Sequence, residues 1–94
     1  SSVAPGLTLQ LLAEPRRIAV RTKKRRDHLA PVSFEGEEGW SPIESAAGPD
    51  RVSGAHWENI FAREYFRCLT DNGRLIWMYH DAKDGEWYMH GYWD

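Results

Sequence analysis

Cysteine is nearly absent from this chain. Cys68 stands alone among 94 residues, so no disulfide can form within it, and a reducing, cytoplasmic setting is expected. No run of 18 apolar residues and no signal-peptide pattern occurs, which excludes a helical membrane span and makes a soluble, unexported segment the expectation. Phosphate-cradling glycine loops of the GxGxxG or P-loop kind are missing. Aliphatic residues are modest in number, so the aromatic side chains must supply much of the core, each burying about 150–250 Å².

Those rings are unevenly placed. Ten of the twelve aromatic residues lie between Trp57 and Trp93. They flank Asp71-Asn72-Gly73-Arg74, and Asn-Gly between two apolar runs is a strong hairpin signal. The pattern predicts strands over Tyr65–Thr70 and Leu75–Tyr79, then a turn over Asp81–Gly85 and a third strand over Glu86–Trp93. Upstream, Leu7–Leu12 suits a short strand ended by Pro15, and Ile18, Val20 and Thr22 alternate as on a half-buried strand. Val32 and Phe34 are expected to share one face. Gly36–Gly39 reads as a turn and Trp40–Ala46 as a returning strand that Pro42 places at an edge or bulge. Gly48-Pro49-Asp50 reads as a further turn. Ser53 is expected to cap a short helical piece over Gly54–Phe61 with Trp57, Ile60 and Phe61 on one side. Residues 1–7 are expected to be a flexible lead-in and residues 8–94 one small, mostly β domain. Its expected form is a twisted antiparallel sheet of five or six strands, partly barrel-like, with one helical turn.

A two-residue Asn72-Gly73 loop would pair Thr70 with Leu75, Cys68 with Trp77 and Phe66 with Tyr79. That apolar face, joined by Trp87, Met89 and Trp93, is the expected core. The opposite face would collect Tyr65, Arg67, Leu69, Ile76, Met78, His80, Tyr88, His90 and Tyr92. A slip of one residue exchanges the two sets. Tyr65, Arg67, Tyr88, His90 and Tyr92 are the candidate partner-binding residues, because tyrosine and arginine are favoured interface anchors. Plain cross-strand aromatic pairing that stabilises the sheet is the simpler alternative.

Catalytic chemistry finds little support. Of the four histidines, His28, His56, His80 and His90, the last two do not converge in this pairing, and single histidines on strands are more often structural or surface residues, so no metal site and no cofactor are expected. Cys68 lies mid-strand as a buried thiol. Glu37 and Glu38 fall in an open turn where a raised pKa is not expected. The chain is therefore read as non-catalytic.

Net charge is −2, yet Arg16, Arg17, Arg21, Lys23, Lys24, Arg25 and Arg26 give seven of the twelve cations within eleven positions. Such a run fits phosphate neutralisation on a nucleic acid, used together with the same tyrosines. It also fits the positive charge that guards an edge strand against aggregation.

Ala47-Gly48-Pro49-Asp50-Arg51-Val52, Trp57, Arg63-Glu64-Tyr65-Phe66-Arg67, Leu75-Ile76-Trp77-Met78-Tyr79 and Trp87-Tyr88-Met89-His90-Gly91-Tyr92-Trp93 together carry a family likeness. They resemble the C-terminal domain of ImuB-type proteins, catalytically defective Y-family polymerase homologues of bacterial mutagenesis cassettes, or a free-standing version of that domain. Leu9–Pro15 is similar to the segment that joins the polymerase-like body to it, and Trp93-Asp94 would correspond to the parent's C-terminus. The resemblance implies an adaptor role in translesion synthesis during the DNA-damage (SOS) response. Through the parent protein the implied partners are an error-prone polymerase subunit, a RecA-like accessory protein or the sliding clamp. Gln10-Leu11-Leu12 matches the family's clamp motif poorly and is expected to be structural. A single-stranded or primer-template DNA-binding module is the alternative function.

Overall fold

A computed structural model describes residues 6–56 and 59–94. Seven strands form one antiparallel sheet: β1 (Leu9–Ile18), β2 (Val20–Lys24), β3 (Leu29–Gly36), β4 (Gly39–His56), β5 (Asn59–Thr70), β6 (Leu75–Asp81) and β7 (Trp87–Trp93). Their order is β1-β7-β6-β5-β4-β3-β2, with no helix among the described residues. The two end strands are successive stretches of chain joined at Ala19. The sheet thus coils round until its edges are covalently continuous, although no ladder of hydrogen bonds closes it. The mostly β expectation holds, with seven strands in place of five or six.

The helical piece does not form. Gly54 and Ala55 end β4, while Ile60 and Phe61 begin β5, paired Gly54 with Phe61 and Ala55 with Ile60. Tertiary pairing overrides the weak capping signal of Ser53. Trp57 lies outside the described residues. Gly48-Pro49 is likewise no chain-reversing turn but a bulge inside β4. Ala47 pairs with Arg67 and Asp50 with Tyr65, leaving two residues opposite Phe66 alone. Gly48 sits at φ +139°, and a Cβ there would lie 2.6 Å from the Tyr65 carbonyl oxygen. Pro15 does not end the first strand either; it falls in the irregular stretch of β1 between Leu11 and Arg16, where a missing N–H is harmless. In β3 a register shift at Val32 leaves Pro31 and Phe34 buried and Val32 exposed.

Ile18, Phe34, Phe66, Cys68, Ile76, Met78, Trp87 and Met89 form the core inside the coiled sheet, with Leu12, Val20 and Ile43 packed against it. Cys68 is fully enclosed, and burial pushes its thiol up to about 12, so it is inert as a nucleophile.

The β5–β6 register differs from expectation by one residue. The loop holds three residues, Asp71 to Gly73. Gly73 lies at φ +84°, its N–H donates to the Thr70 carbonyl, and the Thr70 N–H donates to the Arg74 carbonyl. Asn-Gly fits a type I turn with a left-handed glycine as well as a two-residue turn. The buried Thr70 hydroxyl selects the longer form, donating to the Asn72 side chain and accepting from the Arg74 N–H. Phe66 therefore pairs with Met78 and Cys68 with Ile76. On β5 the expected faces stand, with Phe66, Cys68 and Thr70 buried. On β6 they are exchanged: Ile76 and Met78 point into the core, and Leu75, Trp77 and Tyr79 point away from it.

Candidate partner-binding face

Away from the core, β5, β6 and β7 carry a continuous stack of rings. Tyr65 on β5 stands directly across from Tyr79 on β6, which stands across from Tyr88 on β7. The Tyr65 ring lies 4.2 Å from Trp77, and Trp77 lies 4.9 Å from His90 at an interplanar angle of 5°. Tyr79 and Tyr88 stack at 5.2 Å. Packing among themselves buries Tyr65 and Tyr79 almost completely, while Trp77, Tyr88 and His90 remain half-buried.

His90 reaches this face through a bulge. Trp77 pairs with Gly91 and Met78 with Met89, so His90 is the extra residue of β7. The irregularity keeps Met89 facing inward and presents His90 outward beside Trp77. It also reverses the parity beyond His90. Tyr92 pairs with Ile76 and lines the cavity floored by Ile76, Met89 and Phe34, so it lies on the inner side and is separated from the other four predicted anchors. His80, expected outside, lies on the inner side of β6 and stacks on Trp87 at 4.8 Å.

A chain of hydrogen bonds crosses the stack. Arg63 Nη1 donates to the Tyr65 hydroxyl at 3.1 Å, and that hydroxyl lies 2.8 Å from His90 Nδ1. The Tyr65 hydroxyl thus joins Arg63 to His90, and the imidazole tautomer sets which of the hydroxyl and Nδ1 donates in the second bond. The Arg63 guanidinium also lies 4.4 Å over the Tyr79 ring. Burial and then the charge of Arg63 hold the His90 imidazole below its ordinary value of 6.5. The stability carried by the neutral ring is present above pH 6.5 and is lost as pH falls through the lower folded-state value. Between pH 7.5 and 5, the urea midpoint of the unsubstituted chain should fall further than that of His90→Phe, which keeps a stacked ring but cannot titrate. Equal falls would show that His90 does not couple to folding.

Beside the rings, Leu69, Leu75 and Trp93 floor a groove of about 200 Å³ walled by Ser45–Ala47 and Arg67. Arg67 lies within 3.7 Å of Asp50. Tyr88 bonds to Asp84, which raises its phenol to about 12. Four of the five predicted anchors, Tyr65, Arg67, Tyr88 and His90, thus share one face, together with Arg63, Trp77 and Tyr79. Sequence reasoning missed the last three. Asn-Gly suits either loop length, so the sequence held no deciding signal, and the Thr70 hydroxyl fixes the longer loop only once it is buried.

The seven cations of the basic run do not form one surface. Arg16 lies at the inner cavity, 3.4 Å from Glu37, with Nη2 at 3.6 Å from Met89 Sδ. Arg17 pairs with Tyr88. Arg21 stacks on Trp40, Lys23 and Lys24 end β2, and Arg25 and Arg26 border a second cavity beside His28. Arg17 therefore borders the ring stack across from Tyr88, whereas Arg21 to Arg26 lie on β2 and its turn to β3, strands that do not pair with β5, β6 or β7. Gln10 and Leu11 take part in the β1–β7 ladder. Among the described residues no group of three or more His, Cys, Asp or Glu side chains is placed to hold a metal ion.

No family model matches the chain, and no curated protein or solved structure matches it.

Proposed function

We propose that this domain is a non-catalytic interaction module of a translesion-synthesis adaptor, docking a protein partner on the outer face of β5–β7. The ring stack with its two arginines carries this reading. It joins flat, half-buried aromatic surface to cationic hydrogen-bond donors and an apolar groove, a composition that protein interfaces favour over ordinary surface. The sequence likeness to the ImuB-type C-terminal domain supports the biological setting, and the partner of that setting is an error-prone polymerase subunit or a RecA-like accessory protein.

Trp77→Ala, Tyr88→Ala and Arg67→Ala variants test the face in a pull-down with each of these partners, with circular dichroism as a check of folding. Truncating a central anchor is expected to weaken binding by roughly 30-fold, the effect of a 2 kcal/mol hot spot. Val32→Ala, at an exposed position of β3 away from the ring stack, is expected to leave it unchanged. Full binding by all three folded variants would remove this face as the docking surface.

A further inference from the structure

Arg17 borders the ring stack beside Tyr88, but the C-terminal part of the basic run, Arg21 to Arg26, is a surface of its own. β2 is the terminal strand of the sheet, bonded to β3 on one side, with the N–H and C=O groups of its other edge outside any ladder. Arg21 and Lys23 alternate on its outer side, with Val20 turned toward the core. Lys24, Arg25 and Arg26 continue into the turn to β3. Across the β2–β3–β4 outer face, the Arg21 guanidinium lies 4.0 Å from the centroid of the Trp40 ring, and Trp40 is 40% exposed.

Glu44 borders the cavity beside Arg25 and Arg26 but forms no ion pair with either, and Asp27 and Glu37 are engaged elsewhere. Asp27 is held by His28 at 2.8 Å and by Arg51, while Glu37 is held by Arg16. Glu35 pairs with Trp40, whereas Lys23 pairs with Ala30, five positions away along β3. At about 3.3 Å per residue that is roughly 16 Å. Lys23 marks the cationic end of the face, from which Lys24, Arg25 and Arg26 continue round the turn to the rim of the cavity beside His28, and the other end presents a ring–guanidinium platform. Edge protection alone calls for a cation or two. It does not account for four consecutive cations that lead away from an exposed tryptophan capped by a fifth.

We propose that this surface binds single-stranded nucleic acid. A base stacks on the Arg21–Trp40 platform, where Glu35 disfavours a phosphate, and the adjoining phosphates run over Lys23, Lys24, Arg25 and Arg26. A free strand edge suits this use because its unpaired N–H groups add donors to the side-chain charges.

Anisotropy of a labelled 20-mer of thymidine, titrated with the 94-residue chain, tests the assignment. Four phosphate contacts at about −0.7 each predict that raising salt from 50 to 200 mM weakens binding about 50-fold. Lys23→Glu with Lys24→Glu should abolish binding at 200 mM salt. Trp40→Ala should weaken it roughly tenfold or more, and Trp40→Phe should restore most of the loss. These changes lie on exposed surface, and an unchanged thermal midpoint confirms that each variant folds. The proposal is overturned by absence of binding at 50 mM salt, by equal affinity for duplex of the same length, or by equal competition from polyglutamate. Variants that bind as the parent does would overturn it too. So would loss of binding to phosphatidylserine vesicles in the charge-reversed variant with no oligonucleotide binding by the parent, which would assign the patch to a membrane surface.

Discussion

Replacing Phe66 by alanine is expected to remove about 3–5 kcal/mol of unfolding free energy. Phe66 is 1% exposed at the centre of β5. Its ring lies 5.5 Å from Trp87 of β7 and 5.9 Å from His28 beyond β2, so it spans the interior of the coiled sheet. The bulged Gly48 backbone also closes on it: a Cβ at Gly48 would lie 3.2 Å from Phe66 Cδ2. A cavity here has few neighbours able to collapse into it, because each is tied into its own ladder. Small domains have roughly 5–15 kcal/mol in total, so the loss is a large share. Urea unfolding followed by tryptophan fluorescence measures it. Leu11→Ala, where the side chain is 60% exposed, is the reference and should stay within about 0.5 kcal/mol. A Phe66→Ala loss no greater than this would mean that the core is not organised about Phe66.

Gly91→Ala should cost about 1–3 kcal/mol by overpacking and should loosen β1. Gly91 pairs with Leu11 of β1 and with Trp77 of β6, and a Cβ built on it would overlap the Gln10 carbonyl oxygen. Backbone, unlike the end of a long side chain, cannot swing aside. The relief available is to part β1 from β7, and that releases the strand that joins both edges of the sheet. Hydrogen exchange should show Gln10 and Leu11 losing protection before the β5–β6 amides do. Gly36→Ala is the control, since its Cβ would meet Phe34 at an ordinary 3.5 Å. Equal, small effects at both glycines would show that β1 lies further from β7 than described.

These two substitutions mark the division between sequence and tertiary structure. Alternation along Tyr65–Thr70 and at Ile18 and Val20, the glycine-bearing turns, and the crowding of rings after Trp57 made a mostly antiparallel sheet legible. The inward facing of Phe66, Cys68 and Met89 was legible with them, because period-2 patterning assigns the faces of a strand once one of its residues is placed. The outward facing of Tyr65, Arg67 and Tyr88 followed from the same rule.

Register and parity beyond each irregularity were decided by the assembled sheet. Asn-Gly is compatible with two loop lengths, and the buried Thr70 hydroxyl chose the one that turned Trp77 outward and Met78 inward. The extra residue at His90 carried Tyr92 to the inner side, and the two residues opposite Phe66 turned an apparent Gly-Pro turn into a bulge in an eighteen-residue strand. The physical reason is common to all three. One added residue costs the local chain little, yet it inverts every later side chain of that strand. Only the packing of the whole interior makes one of the alternatives lower in free energy.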